Sequence, residues 1–384
     1  MKKSSIFAKI LLKIMTNNIF RFLFLSLLFI NAGVVSAQHD THGETVSHNK
    51  AVVENNEETS HENVFNPSDL INHHLSDSHD YKFDIPFFET TFYLPVILWT
   101  DNGLTVFSSS VFKGDEHGAV KVEKNGQNFV RIHDIIAYAD KVSAHAKPEE
   151  ITLDQRPLDF SITKNVLSMF FTFLVILIIL LYVKKAYNEK GVPKGLAGFV
   201  EPLVVFVRDD VAKENIGPKY QKFVPFLLTV FFFILFSNLF GLIPFSPFGY
   251  NLTGNIVVTF VLAVIVFIIT NVNGNKSYWT HILWPPGVPV VLKPFIALIE
   301  ILSMFTKPFA LMIRLFANIF AGHTIILTFI TLIFVFKNWG VPFASGFATI
   351  FMYISELLVA FLQAYVFTLL SAIYFGMAVK EEAH

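Results

Sequence analysis

The chain has 384 residues, of which 53% are hydrophobic and only 15% are charged. Its mean hydropathy of +0.54 is too high for a soluble domain of this length, so the sequence predicts an integral membrane protein. The net charge of -1 gives no reason to expect a nucleic-acid partner. Cysteine is absent, which excludes disulfides, thiolate metal sites and cysteine nucleophiles.

Residues 1–37 have the pattern of a signal peptide. Several lysines are followed by an apolar run at 20–30 and by the small residues Val35-Ser36-Ala37. We therefore expect export and cleavage before Gln38, with translation starting at Met1 or Met15. The alternative interpretation is an uncleaved anchor helix.

Residues 38–80 are polar and poor in aliphatic side chains, which predicts a flexible exported arm. Ten of the 13 histidines lie between His39 and His145. A His-rich tract can bind zinc or copper, but a solvated, weakly buffering tail is the plainer interpretation. We therefore assign no metal and no cofactor.

Residues 81–160 are predicted to form a small β-rich periplasmic domain. Two stretches typical of strands, 91–99 and 104–111, are joined by Asp101-Asn102-Gly103, which is a strong hairpin signal. Nothing in this region suggests a catalytic constellation.

Residues 161–384 are predicted to be an all-α membrane domain with about five membrane helices. Crossings are expected at 166–183, 223–244 and 256–272, and a helix lying in the membrane interface at 196–211. Two long arms, 294–336 and 342–379, then form a helical hairpin. Each arm exceeds the roughly 20 residues that an upright membrane helix needs, so the hairpin must tilt, kink or project, and Pro308 is a candidate kink.

The loop charges predict the orientation. The first span ends in Lys184-Lys185 and a basic loop follows it, whereas residues 245–255 carry no basic side chain. Basic loops stay in the cytoplasm, so the N-terminal region is predicted to be exported and the C-terminus cytoplasmic.

Ionisable residues within the hairpin are the candidate functional residues, because a charge at a membrane helix centre costs roughly 2.5–3.5 kcal/mol. At 100° per residue one polar face of the first arm carries Glu300, Ser303, Lys307, Arg314 and Asn318. His323 points to the opposite side of that arm. On the second arm Glu356 and Gln363 share a face, so Glu356 is predicted to meet His323 across the hairpin.

Arg314 cannot carry protons, because a guanidinium group stays charged in a protein. It is predicted to act as a fixed positive charge that favours the ionised form of any carboxyl group beside it. His323, Glu356 and Glu300 are the groups that can take up and release protons. The plainer alternative is a buried salt bridge of Arg314 with Glu300 or Glu356 that only locks the hairpin.

The run 307–323, Lys-Pro-Phe-Ala-Leu-Met-Ile-Arg-Leu-Phe-Ala-Asn-Ile-Phe-Ala-Gly-His, strongly resembles the signature of the subunit a family of F-type ATP synthases. The segments 206–210, 237–244 and 362–367 resemble other parts of that family in the same order. The resemblance extends from about residue 160 to the C-terminus, and its Arg-Leu-Phe-x-Asn-x-x-x-Gly core is highly specific.

The resemblance implies a non-catalytic subunit that forms two proton half-channels against a rotating ring of c subunits. Arg314 matches the essential arginine between the half-channels, and Asn318 and Gln363 match its polar neighbours. Asn238 and Asn255 resemble residues on the exported-side access path, and Glu300 and Ser303 resemble exit-side positions. His323 and Glu356 stand in exchanged order compared with the best-known bacterial pattern.

The resemblance further implies a location in the bacterial inner membrane, among lipid, with b-type peripheral stalk subunits and the rest of the F1F0 complex as partners. Two other classes remain as alternatives, a self-contained secondary transporter and an exported metal-binding protein with a membrane anchor. A transporter commonly shows internal repeats, and none is evident here. A metal binder would not need the polar residues around Arg314.

Overall fold

The computed structural model describes residues 77–85, 88–115, 117–143, 146, 148–186, 195–243, 250, 252–335 and 340–380. The predicted signal peptide and almost all of the predicted His-rich arm lie outside the described residues. The described chain consists of a small β domain followed by a helical membrane domain, as the sequence predicts.

The described part of the β domain forms three small antiparallel sheets. In chain order its strands are β1 Asp80–Ile85, β2 Phe88–Tyr93, β3 Pro95–Thr100, β4 Gly103–Ser108, β5 Val122–Lys124, β6 Gln127–Ile132, β7 Ile135–Tyr138 and β8 Leu158–Asp159. The first sheet pairs β1 with β2, the second has the order β4-β3-β8, and the third has the order β5-β6-β7. Val96, Leu98, Phe112 and Phe129 are buried between them and form its main core.

The predicted hairpin is confirmed. Thr100 pairs with Gly103, so Asp101 and Asn102 form a two-residue turn, and Gly103 has a φ of +99° that a glycine adopts readily. The continuous strand predicted at 91–99 is wrong, because Leu94 separates β2 from β3. Its N–H donates to the carbonyl of His79 and its C=O accepts from Ser109, so the chain changes pairing partners there.

The membrane domain contains seven helices among the described residues. They are α1 Lys164–Lys185, α2 Leu196–Phe206, α3 Val224–Gly241, α4 Ile256–Val272, α5 Lys276–Leu283, α6 Lys293–Val335 and α7 Gly340–Val379. The chain continues from α2 through a π-helical segment, Val207–Lys213, and a short helical turn, Glu214–Ile216. α6 runs unbroken past Pro308.

Among the described residues, four helices are long and apolar enough to cross a membrane, namely α1, α3, α6 and α7. α4 and α5 together pass the same test, although the chain bends by 104° between them. These are the positions of the five predicted crossings. The helices alternate in direction, so α3 ends, α4 begins and α6 ends on the side of the β domain, which we call the β-domain side.

Aromatic packing holds the helices together. Phe231, Phe233 and Phe367 are almost completely buried in one continuous membrane core. Phe223 at the start of α3 stacks on Phe375 of α7 with 4.8 Å between ring centroids. This packing fixes α3 against α7 and thereby positions the polar residues that both helices carry.

Candidate functional site

Arg314 lies on an exposed face of α6. Asn318, one turn further along the helix, is exposed on the same face. The neighbouring exposed positions are small, because Ala310, Ala317 and Ala321 surround Arg314 on this face. Small side chains leave room for another helix to approach the guanidinium group closely.

Arg314 makes no hydrogen bond or ion pair with any of the described residues. The salt bridge to Glu300 or Glu356 that would lock the hairpin is therefore not formed. Glu300 is instead 3.8 Å from the Nδ1 atom of His281 on α5, and both side chains are partly exposed. Ser303, one turn from Glu300, is half-buried.

Glu356 of α7 is buried against α6. Its side chain is only 8% exposed, and its Oε2 atom has no hydrogen-bond partner among the described residues. Gly322 of α6 makes this position possible, because a Cβ atom there would overlap Oε1 of Glu356 and lie 2.9 Å from its Cδ atom. The absence of a side chain at Gly322 thus creates the space that the carboxyl group occupies.

His323 follows Gly322 and faces α3. A Cβ atom on Gly241, the last residue of α3, would be 3.2 Å from Nε2 of His323 and 3.1 Å from the carbonyl oxygen of Tyr250. His323 and Tyr250 therefore meet at the same glycine. As predicted, His323 lies on a different face of α6 from Arg314. Glu356 contacts Gly322, the residue before His323, and the meeting of Glu356 with His323 stays a prediction.

Buried amide and hydroxyl groups continue this region towards the β-domain side. Asn238 of α3 accepts a hydrogen bond from Thr253 at 2.5 Å and donates one to the carbonyl of Ala360 at 3.4 Å. Asn255 caps α4 by accepting from the N–H of Val257 at 2.9 Å. We call Asn238, Thr253, Asn255 and Glu356, together with the partly buried His323, the buried polar cluster.

The two arms of the hairpin are also joined by a polar contact. The side-chain amide of Asn318 donates to Oε1 of Gln363 at 3.0 Å, and Gln363 is almost completely buried. This bond links the exposed face that carries Arg314 to the interior of the helix pair.

Arg314 lies between two groups of titratable side chains along α6. Glu300 precedes it by about 21 Å along the helix axis, and Gly322, which contacts Glu356, follows it by about 12 Å. The first group lies towards the side opposite the β domain and the second towards the β-domain side. The predicted site residues Glu300 and His323 thus lie on opposite sides of Arg314 in this arrangement, and the roles of all nine predicted site residues stay predictions.

Sequence reasoning assigned no role to four residues of this arrangement: Gly322, which ends the core motif, and Thr253, Tyr250 and His281. Gly322 carried a local signal, since it is a glycine beside a candidate histidine in a helix of otherwise bulkier residues. The other three are brought in by loops and by α5, and no sequence spacing relates them to the hairpin.

These features define a class of protein, a multi-pass membrane protein whose last two helices form a long hairpin with an unpaired arginine. The profile of the family "ATP synthase A chain" matches residues 166–376. ATP synthase subunit a of Chloroherpeton thalassium is 44% identical over 241 residues, 59% of this chain and 69% of that protein. ATP synthase subunit a 2 of Prosthecochloris aestuarii is 45% identical over 235 residues, 59% of this chain and 71% of that protein.

The chain therefore belongs to the family of ATP synthase A chains, the non-catalytic proton-channel subunits of the F0 stator. The match begins at the first membrane helix. The β domain matches a different family over residues 70–160, which is described as a domain of unknown function.

Proposed function

We propose that Arg314 separates two proton half-channels and keeps a passing rotor carboxylate ionised. The observation that carries this proposal is the position of Arg314, exposed and without an ion pair among the described residues, between two groups of titratable side chains. A positive charge in a medium of low dielectric attracts a carboxylate strongly. Arg314 itself stays charged, so the protons must travel through other groups.

The buried polar cluster forms the access path in this proposal. Asn238 and Asn255 line its outer part, and Glu356 and His323 exchange the proton with the rotor. The Oε2 atom of Glu356, which has no hydrogen-bond partner among the described residues, supports this role. Such a buried carboxyl oxygen can take up a proton without breaking an existing hydrogen bond.

Glu300 and Ser303 form the exit path on the other side of Arg314. Asn318 and Gln363 hold the two arms of the hairpin in register beside the arginine. The long separation of Glu300 from Arg314 along α6 supports two offset half-channels, because a proton cannot move directly between groups about 20 Å apart.

The partner that faces Arg314 is the ring of c subunits, each of which supplies one membrane carboxyl group. Two features support this interface: the small residues around Arg314 and the large exposed apolar side chains of α7. Among the latter are Ile350, Ile354, Leu357 and Leu358. Further partners are b-type peripheral stalk subunits, the rest of the F1F0 complex and the surrounding lipid.

The location proposed is the bacterial inner membrane, with the β domain in the periplasm and the C-terminus in the cytoplasm. The charge difference between the loops supports this orientation, and the predicted signal peptide at 1–37 agrees with it. Most of residues 38–80 would be an exported arm, although Asp80 already begins β1; residues 81–160 would be the periplasmic domain and 161–384 the membrane domain.

The test replaces Arg314 with alanine in the complete complex. Arg314→Ala should abolish ATP synthesis driven by a proton gradient in inverted membrane vesicles, whereas Arg208→Ala, which removes an arginine paired with its neighbour Asp209, should retain it. Affinity purification of both variants should recover a c ring and a soluble ATPase head. ATP synthesis by the Arg314→Ala complex would refute the proposed role, and purification of the chain without a c ring would refute the proposed partner.

A further inference from the structure

The segment 77–80 gathers charged side chains where the β domain joins the membrane domain, far from Arg314. His79 is completely buried, and its Nε2 atom is 2.9 Å from Oδ2 of Asp159. Asp80 is also buried, pairs with Arg131 and accepts a hydrogen bond from Ser109 at 2.6 Å. Both residues thus fasten this segment to the β domain.

The same segment is fastened to the first membrane helix. Asp77 accepts hydrogen bonds from the N–H of Asn165 and from the hydroxyl of Thr163, each at 3.0 Å. The N–H of Lys164 donates to the carbonyl of Ser78 at 2.9 Å. The first N–H groups of a helix have no partner within the helix, so residues 77 and 78 supply partners that α1 lacks. We call residues 77–80 the clasp.

The pKa values of two groups of the clasp are raised. Burial raises the pKa of Asp77 to about 6, and the charge of Asp134 adds to this, while the N–H of Asn165 and the charge of Lys164 oppose it. Burial disfavours the charged form of His79, but the carboxylate of Asp159 outweighs burial and raises the pKa of His79.

Other charged residues around His79 also affect its pKa. Asp134 favours the charged form of His79 and Arg131 disfavours it. Burial disfavours the ionised form of Asp159, but His79 and Ser161 outweigh it and lower the pKa of Asp159. Asp159 therefore stays ionised near neutral pH, and Asp77 and His79 are the groups that respond.

The pKa shifts of Asp77 and His79 change the stability of the clasp in the same direction as the pH rises. A pKa that is higher in the folded state than in the open state means that the folded state binds the proton more tightly. The stabilisation is complete when Asp77 and His79 are protonated, and it is lost as the pH rises through about 6 for Asp77 and through the raised pKa of His79. Protonated Asp77 can still accept from Asn165 and can donate to Thr163.

We propose that residues 77–80 form a proton-responsive clasp that holds the β domain to the start of α1 in acid and loosens as the pH rises. The geometry of the clasp carries this proposal, because every hydrogen bond from α1 to the β domain named above ends on Asp77 or Ser78. The state of the clasp therefore reports the proton concentration on the β-domain side.

The clasp also lies close to the buried polar cluster. Thr172 of α1 is hydrogen-bonded to the hydroxyl of Tyr250 at 2.8 Å, about two helical turns from the clasp, and Tyr250 meets His323 at Gly241. Movement of the start of α1 can therefore reach the access path. This consequence rests on the proposed function, whereas the clasp itself does not.

Hydrogen exchange of the purified complete complex tests the clasp. Amide protection of residues 163–168, corrected for the intrinsic pH dependence of exchange, is measured from pH 5 to pH 8. We expect at least a tenfold loss of protection over this range. Asp77→Asn keeps an acceptor for Asn165 but cannot titrate. In this variant the amide protection of residues 163–168 should therefore depend on pH much less. Asp101→Asn in the exposed hairpin turn is the matched control and should behave as the unmodified chain.

Two outcomes would overturn the proposal: protection that is constant or increases with pH in the unmodified complex, and an Asp77→Asn complex with the unmodified pH dependence. His79→Gln, which keeps a donor for Asp159, should remove the pH dependence that Asp77→Asn leaves. Arg314→Ala should leave the exchange profile unchanged, so failure of the clasp and failure of the proposed transport role give different results.

Discussion

The β domain and the membrane domain differ in whether selected charged groups have hydrogen-bond or ion-pair partners. In the β domain the buried Arg131 pairs with Asp80, and Nε2 of His79 pairs with Asp159. In the membrane domain neither Arg314 nor the Oε2 atom of Glu356 has a hydrogen-bond partner among the described residues. Paired charges hold a fold together, whereas unpaired ones are available to a partner or a proton that comes and goes.

The difference follows from the cost of burial. A buried charge without a partner is expensive, so an unpaired one persists only where another interaction of the protein uses it. Arg314 avoids part of this cost by lying on the surface of α6, where a partner subunit can reach it. This contrast between the two regions can be tested by removing members of each set.

The largest expected effect is the loss of stability in the β domain on replacement of Arg131. Arg131→Ala leaves Asp80 buried without its partner, which should cost about 3–5 kcal/mol. The loss of stability is measured in the purified complex as faster amide hydrogen exchange of strand β6. Arg208→Ala is the control, since its pair with Asp209 is partly exposed and should contribute at most about 1 kcal/mol. Equal effects of the two replacements on amide exchange would contradict the distinction between the buried pair and the partly exposed pair.

The next effect concerns the space beside Glu356. Gly322→Ala places a methyl group where the carboxyl group lies and must displace it, so we expect ATP-driven proton pumping to fall by about 10- to 100-fold. Gly346→Ala on α7 is the matched control, because no described atom lies within 4 Å of a Cβ atom there. Pumping by Gly322→Ala at the rate of Gly346→Ala would show that the position of Glu356 is not critical.

The smallest effect is expected at the contact between the arms of the hairpin. Asn318→Ala removes the donor to Gln363, which should lower the stability of the hairpin by about 1 kcal/mol. Amide exchange of α7 around Gln363 measures the change. The double replacement Asn318→Ala with Gln363→Met should recover part of the loss, because no buried acceptor is then left without a donor. An unchanged exchange rate in the single variant would show that the bond contributes nothing.

The sequence predicts the helices well because the length of an apolar run largely determines where a membrane helix begins and ends. The arms predicted at 294–336 and 342–379 correspond to Lys293–Val335 and Gly340–Val379. The separation of Arg314 from His323 was also predictable, because it depends only on the helical repeat.

Contacts between distant segments could not be predicted. The clasp was assigned to a flexible arm because residues 77–80 are polar. His79 and Asp80 are nevertheless buried, with partners 80 and 51 positions further along the chain, respectively. The contact of Glu356 with Gly322 likewise depends on how α7 slides along α6. A single sequence contains no local signal for either.

The central claim is that the unpaired groups Arg314 and Glu356 serve transport, whereas the buried pair of Arg131 and Asp80 serves the fold. The most direct test measures ATP-driven proton pumping and the thermal unfolding of the β domain in the same purified complexes of Arg314→Ala and Arg131→Ala. The account predicts that Arg314→Ala loses pumping with unchanged unfolding, and that Arg131→Ala unfolds at lower temperature while intact complexes still pump. Pumping by Arg314→Ala, or unchanged unfolding of Arg131→Ala, would contradict it.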